Sequence, residues 1–460
     1  MDQALQFNID GLQSRVKGRV LTPAAPDYDA ARHIWNGMID RRPAVILRCR
    51  EAGDIPPALA WCRVHGLDFT VRGGGHNIAG SAVCDGGLMI DLSPMKAVRV
   101  DPETRLVSVE PGATLGDLDR ATQAHGLAVP VGINSTTGVA GLTLGGGFGW
   151  LSREHGLTID SLAAAEVVTA DGRTLQASER ENADLFWALR GGGGNFGIVS
   201  RFEFESYPVG PEVLAGLVVY PFDQAREVLG QYRRFAAAAP EALNVWAILR
   251  QAPPLPFLPE AVHGREVVVL SVFYGGDPAR GRELIEPLRR FGKPLGEHIG
   301  VQPYCQWQQA FDPLLTPGAR NYWKSLNFTE LSDPLFDVVL SAVKDLPTEQ
   351  CEIFIGMLDG APNRISPDAT AYFHRDVRFV MNVHGRWNDP VQDAPGIAWA
   401  RDFFESAQSH ASAGGYVNFM TGDEEDRVPA AYGDNYGRLQ AVKRQYDPEN
   451  VFRHNQNIVP

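Results

Sequence analysis

Hydrophobic residues in the first half of the chain come in short bursts separated by turn residues. "RPAVILRC" (42–49) is an apolar run with the length of a buried strand, "EAGDIPPALAWCRVHG" (51–66) spaces its apolar residues as a helix does and closes on Gly66, and "LDFTVRGG" (67–74) returns to a strand. "GLMIDLS" (87–93), "AVRVDPE" (97–103) and "LVSVEPG" (106–112) predict three further strands. A helix is expected from near Thr114 to "AHG" (124–126), with Asp117 in its first turn facing the positive end of the helix dipole. Near Tyr207 and Pro208 the pattern changes to longer apolar strands, "LAGLVVYPF" (214–222), "REVVVLSVFYGG" (265–276), "EQCEIFIGML" (349–358) and "VRFVMNVHGRW" (377–387). Between them, "FDQAREVLGQYRRFAAAA" (222–239) and "PARGRELIEPLRRF" (278–291) read as amphipathic helices. The last stretch (437–460) reads as a short helix followed by an irregular tail. The fold class is therefore α+β, without strict βαβ alternation.

Composition adds bounds. The 460 residues, 44% of them hydrophobic, suffice for two or three domains with sizeable cores. A formal charge of −13 repels phosphate backbones and anionic lipid heads, so neither nucleic acid nor a membrane surface is an expected partner. The first twenty residues lack the apolar segment of a secretory signal and no later stretch suits a membrane span, so the expected location is the cytoplasm. Five widely spaced cysteines, Cys49, Cys62, Cys84, Cys305 and Cys351, match neither a disulfide framework nor a zinc site, and no metal is expected.

The candidate chemistry lies in three glycine-rich runs: "VRGGGHN" (71–77), "GLTLGGGFGW" (141–150) and "LRGGGGNFGIVSRFEFE" (189–205). One such run, with His76 beside it, is compatible with a tight turn. Three in one domain can bring several backbone N–H groups to an anionic ligand such as a pyrophosphate, which makes a dinucleotide the leading idea. Gly192, Gly194 and Gly197 satisfy GxGxxG, yet "IVSRFEFE" alternates like a strand where a Rossmann site needs a helix. No GxxxxGK[ST] occurs.

"VRGGGHN", "GVAGLTLGGGFGWLSREHGLTIDSL" (138–162), "VVTADG" (167–172), "DLFWALRGGGGNFGIVSRFEF" (184–204), "TAYFHRD" (370–376) and "YDPENVFRHNQNI" (446–458) closely resemble, in the same order, the berberine bridge enzyme-like FAD-linked oxidases of the vanillyl-alcohol oxidase group. The resemblance implies a PCMH-type, two-subdomain FAD-binding domain over residues 1–208, completed by 415–460, and an α+β substrate-binding domain over 209–414 whose sheet covers the flavin. It implies that His76 carries the flavin covalently. Many relatives add a cysteine link, but "NSTTGVAG" (134–141) places Asn134 at that position, so a single bond through His76 is expected, as in the bacterial 6-hydroxynicotine oxidase type. The cofactor contacts expected from the matched motifs are Arg72, Gly73, Gly74, Gly75, Asn77, Thr136, Thr137, Gly138, Gly141, Gly146, Gly147, Gly197, Val199, Asn455 and Asn457.

Sugar-oxidising relatives carry an aspartate that falls near Gly356 here, and that base is missing. Glu352 is the one carboxylate on its strand and is either a base or a solvent-facing residue. Strand alternation sets Asn382 and His384 on one side with Val380, and a histidine titrating near neutrality can accept a proton. In "GGYVNFM" (414–420), Tyr416 matches a tyrosine that approaches the reacting carbon in relatives, while Phe419 replaces a second tyrosine. "NYWKS" (321–325) resembles a strand that contacts substrate, offering Tyr322, Trp323 and Lys324. Tyr416, His384, Asn382 and Glu352 are thus the candidate catalytic residues.

The expected activity is that of an FAD-dependent oxidase, passing a hydride from a small alcohol, amine or aromatic metabolite to the flavin, with O2 as acceptor and H2O2 as product. Thr137 stands where relatives carry a residue thought to gate oxygen, which leaves a same-fold dehydrogenase open. A flavin-binding protein without turnover is the other alternative, and a homodimer is an open assembly.

Overall fold

The computed structural model describes residues 9–412 and 414–460 of the chain. In the first half, Val45–Arg48, Leu88–Asp91 and Phe69–Arg72 form parallel pairs, with Arg19–Leu21 antiparallel at the edge. Ile55–His65 is the helix that joins two of these strands. Pro56 and Pro57 stand in its first turn, where missing N–H groups matter least, and Gly66 ends it at φ 61°. A second, antiparallel sheet runs in the order Val98–Asp101, Leu106–Val109, Ile198–Glu205, Leu162–Val168, Thr174–Ser178. Its helix Leu115–Gln123 starts with a reciprocal cap: Thr114 Oγ1 accepts from Asp117 N–H, and the Asp117 carboxylate accepts from Thr114 N–H. Ile198–Glu205 is a strand, so the glycine run before it does not open a Rossmann helix.

From Glu212 onward a seven-stranded antiparallel sheet dominates. Its order is Gly296–Pro303, Glu212–Pro221, Glu266–Tyr274, Leu243–Gln251, Glu352–Met357, Phe379–Trp387, Arg320–Phe328. Alternation gives the strands inside the edge strand Gly296–Pro303 two mostly buried faces. Leu249, Ile353, Met381 and Val383 pack on one side beneath the helices Ala225–Ala236, Asp333–Lys344 and Asp393–Ala407. Trp246, Ile248, Phe354 and Val380 pack on the other, against Phe148, Trp150, Tyr372 and Tyr416. The expected helix over 278–291 is shorter: Pro278–Ile285 is α-helical, and Glu286–Arg290, with Pro287 unable to donate, continues as a 3₁₀ turn.

The tail returns to the first half. Tyr432, Leu439, Val442 and Ile458 join the core of the antiparallel sheet, and Phe452 joins that of the parallel one. Lys443 and Asp447 are an ion pair with both side chains fully buried (2.6 Å), and Lys443 Nζ also donates to the carbonyls of Asn195 and Phe452. Breaking one member of such a pair leaves an uncompensated buried charge. Asn195 fastens the same junction: its amide donates to the carbonyls of Gly192 and Gln456 and accepts from Ile458 N–H. The third glycine-rich run and the tail are thereby held as one unit.

Candidate functional site

One cavity of about 320 Å³ runs between the glycine runs and the inner face of the large sheet. Part of its wall is backbone, from Gly73–Asn77, Thr137, Gly138, Gly141, Gly193, Gly194, Gly197 and Val199, with Asn455 from the tail. Another part is aromatic, with Trp246, Trp323, Phe354, Phe148 and Phe419 alongside His384 and Tyr416.

Glycine is required where the two loops touch. A Cβ on Gly74 would lie 2.5 Å from Gly138 Cα, and one on Gly138 2.5 Å from Gly74 N, so two backbones meet with no room for side chains. Gly75, at φ 68°, turns the chain so that His76 opens on the cavity. The His76 ring stacks on Trp35 (4.2 Å between centres, 22° between planes), and its Nε2 is 3.4 Å from Thr136 Oγ1. Burial, with the positive charge of Arg386 adding to it, holds the imidazole neutral, its pKa pushed down to about 3.

The Tyr416 oxygen accepts two hydrogen bonds, from Gly147 N–H and Asn418 Nδ2, both 2.9 Å. Burial pushes its pKa up to about 12, so it is a phenol at neutral pH with its own proton left to donate. His384 stacks on Trp323 (4.4 Å, 12°) and meets Phe354 edge-on. Its Nδ1 lies 3.2 Å from Glu352 Oε1, and its Nε2 has no hydrogen-bond partner among the described residues.

Several expected contacts stand behind the wall instead. The Arg72 guanidinium donates to the Ala31 carbonyl (2.6 Å). Thr136 donates to Asn134 Oδ1 (2.6 Å) and reaches only His76. Gly146 is packed by the rings of Tyr372 and Tyr416, Gly147 donates to Tyr416, and Asn457, off the cavity surface, keeps a buried Oδ1 without a partner among the described residues. Asn382 shares the His384 face of its strand, fully buried, with neither amide atom paired among the described residues and none on the cavity wall. Glu352 is neither solvent-facing nor on the wall. Burial would raise its pKa, but Arg250, 2.6 Å away, with His384 and Arg386, overrides that and holds the carboxyl near 2.

Of "NYWKS", only Trp323 faces the cavity; Tyr322 donates to Asp423 (2.7 Å) and Lys324 to Thr421 and Asp423 on the opposite face. Trp246, Phe354 and Gln456 were not singled out from the sequence. The first two are single aromatics on buried strands, legible as facing the cavity once the sheet order and strand alternation are known, whereas nothing marks Gln456 in advance. Trp246 also explains the missing aspartate locally: a Cβ on Gly356 would lie 3.1 Å from the indole.

The cavity meets three requirements of a flavin nucleotide. The close-packed glycine backbones leave N–H groups bare of side chains, a Cβ on Gly141 or Gly194 would meet no described atom within 4 Å beyond its own neighbouring backbone, and Asn455 Oδ1 is a buried acceptor without a donor among the described residues. Comparison with known proteins agrees. Residues 43–178 match the FAD binding domain family, and 415–459 the family described as berberine and berberine like. An FAD-linked oxidoreductase of Bacillus subtilis, YgaK, is 32% identical over 97% of this chain and 98% of its own. (R)-6-hydroxynicotine oxidase of Paenarthrobacter nicotinovorans is 31% identical over 97% of each chain. The crystal structure of 6-hydroxy-D-nicotine oxidase from Arthrobacter nicotinovorans superposes with a TM-score of 0.86 at 28% identity, covering 97% of this chain and 98% of that one. The chain belongs to the berberine-like FAD-linked oxidoreductases, an α+β enzyme family whose cofactor is FAD. Among the described residues no helix is long and apolar enough to cross a membrane.

Proposed function

We propose that this enzyme is an oxidase for a small aromatic alcohol or amine, with FAD attached through His76 alone. The observation that carries the reading is that one cavity is lined by side-chain-free glycine backbone, by a neutral histidine, and by an aromatic group around His384 and Tyr416. Residues 1–208 with 415–460 would hold the cofactor and 209–414 the substrate. When bound, FAD supplies the acceptor for a hydride and, through O2, the route to H2O2.

The protein's own groups divide the remaining work. Tyr416 donates a hydrogen bond to the substrate heteroatom, its oxygen being fixed by Gly147 and Asn418. His384 Nε2 takes the O–H or N–H proton as the neighbouring C–H bond breaks. Trp246, Trp323, Phe354 and Phe419 present flat apolar faces that exclude water and suit an aromatic ring better than a polyhydroxylated sugar. Asn134 stands where relatives carry a second linking cysteine, and none of the five cysteines lies on the cavity wall, which supports a single bond.

The test is a panel of vanillyl alcohol, (R)-6-hydroxynicotine and xylobiose with peroxide detection under air. Peroxide from an aromatic member and none from xylobiose is expected; rapid oxidation of xylobiose alone overturns the substrate reading. Flavin reduction without peroxide would assign a dehydrogenase.

A further inference from the structure

Four side chains stand in one row across four adjacent strands. The register pairs Arg250 with Glu352, Glu352 with His384, and His384 with Trp323. All four point to the inner face of the sheet, and only the last two reach the cavity wall. Arg250 Nη1 holds Glu352 Oε2 at 2.6 Å, leaving Oε1 to face His384 Nδ1 at 3.2 Å. That contact is short but not straight enough to count as a hydrogen bond, a common condition for such pairs before substrate binds. Trp323 covers one face of the imidazole, and the edge contact with Phe354 limits its rotation.

We propose that Arg250 and Glu352 are positioning residues that fix the tautomer of His384, keeping its proton on Nδ1 and presenting Nε2 as a bare acceptor to the cavity. A neutral imidazole has two tautomers, and only the one protonated on Nδ1 can take a proton at Nε2. A carboxylate opposite Nδ1 selects it, since the alternative would set a lone pair against a negative charge. Arg250 keeps that carboxylate ionised and its second oxygen occupied. The other charged group acting on Glu352, Arg386, donates to Asn321 and to Thr316, and the imidazole nitrogens accept no hydrogen bond from it. A buried Arg–Glu pair is weak evidence of stabilisation, since apolar residues often serve as well. Its position one strand behind a cavity-facing histidine gives it a use that an apolar pair would not have. This inference rests on the proposed role of His384 as proton acceptor.

The test is the 15N spectrum of the full-length, FAD-loaded protein labelled at histidine, with the His384 signals assigned by their loss in His384→Gln. The wild type is expected to show Nδ1–H and an unprotonated Nε2. Glu352→Gln, and the apolar pair Arg250→Met with Glu352→Leu should the single variant fail to fold, are expected to reduce the tautomer ratio by roughly tenfold. A merely structural pair would change thermal stability and leave the ratio as it was. A wild-type proton on Nε2, or a ratio unchanged in a folded variant, overturns the proposal. No substrate is needed, so failure here and failure of the oxidase reading are separate results.

Discussion

The imidazole of His76 lies flat on the indole of Trp35, 4.2 Å between ring centres, and the Arg386 guanidinium lies over the same indole, 5.3 Å from the ring centre. Trp35 is itself fixed by a hydrogen bond from its Nε1 to the Leu315 carbonyl. The histidine is therefore presented on a rigid aromatic surface. His76→Ala is expected to abolish covalent attachment while still binding FAD, because the glycine walls are separate contacts. Trp35→Leu is expected to give incomplete attachment, measured as the fraction of flavin that stays with acid-precipitated protein. Full attachment in both variants would remove the stack from any role.

Gly141 offers a cleaner test of the cofactor wall. A Cβ there would meet no described atom within 4 Å beyond the local helix backbone, so Gly141→Val should leave the unfolding temperature of cofactor-free protein within about 2 °C, surface changes without new contacts being small. It should lower FAD affinity by about tenfold or more, as a branched side chain enters the cavity. Titration calorimetry in the His76→Ala background, where FAD binds reversibly, checks this, and an unaffected affinity would show that the flavin lies elsewhere.

Tyr416→Phe keeps the ring packing against Phe148 and Phe419 and removes only the hydroxyl. The rate of flavin reduction is expected to fall on the order of 10²-fold, with a smaller change in substrate binding, because the hydrogen bond matters most as charge develops. Stopped-flow absorbance with a panel substrate that reduces the wild type measures both. The same variant leaves Gly147 N–H without its acceptor, so a few degrees of thermal destabilisation should accompany it.

Asp119 carries a pH dependence of stability. It is buried, its carboxylate accepts one hydrogen bond among the described residues, from Gln308 Nε2 at 3.2 Å, and burial pushes its pKa up to about 7. A carboxyl whose pKa is raised in the folded state gives stability that is complete below the ordinary carboxylate range and lost as pH rises through 7. Asp119→Asn, neutral at every pH, is expected to unfold on the order of 2–5 °C above the wild type at pH 8, with the gap closing toward pH 5. A constant gap between those pH values would contradict the assignment.

Local rules made much of this molecule readable in advance. Gly66 ended its helix, Thr114 and Asp117 capped theirs, and the buried strands at Val45–Arg48 and Phe379–Trp387 followed from uninterrupted or alternating apolar runs. Leu243–Gln251 did not stand out, because it is buried on both faces and such a run fits a helix as well as a strand. The glycine motifs pointed to the cofactor wall, since positive φ and backbone contact leave a mark on composition. Glu352 was misjudged because its neighbours, Arg250 and His384, lie 102 and 32 positions away in sequence and become partners only through strand order. Arg72 and Asn457 were assigned from motif matches, which fix the neighbourhood of a residue but not which way its side chain turns.

The central claim is that this cavity holds FAD on a single histidine, and intact-mass spectrometry of the purified protein, followed by peptide mapping, tests it most directly. The account predicts a yellow protein heavier than the bare chain by one FAD, with the adduct on the peptide containing His76. A colourless protein of bare-chain mass that takes up no flavin when FAD is supplied in excess, or an adduct on any other residue, would contradict it.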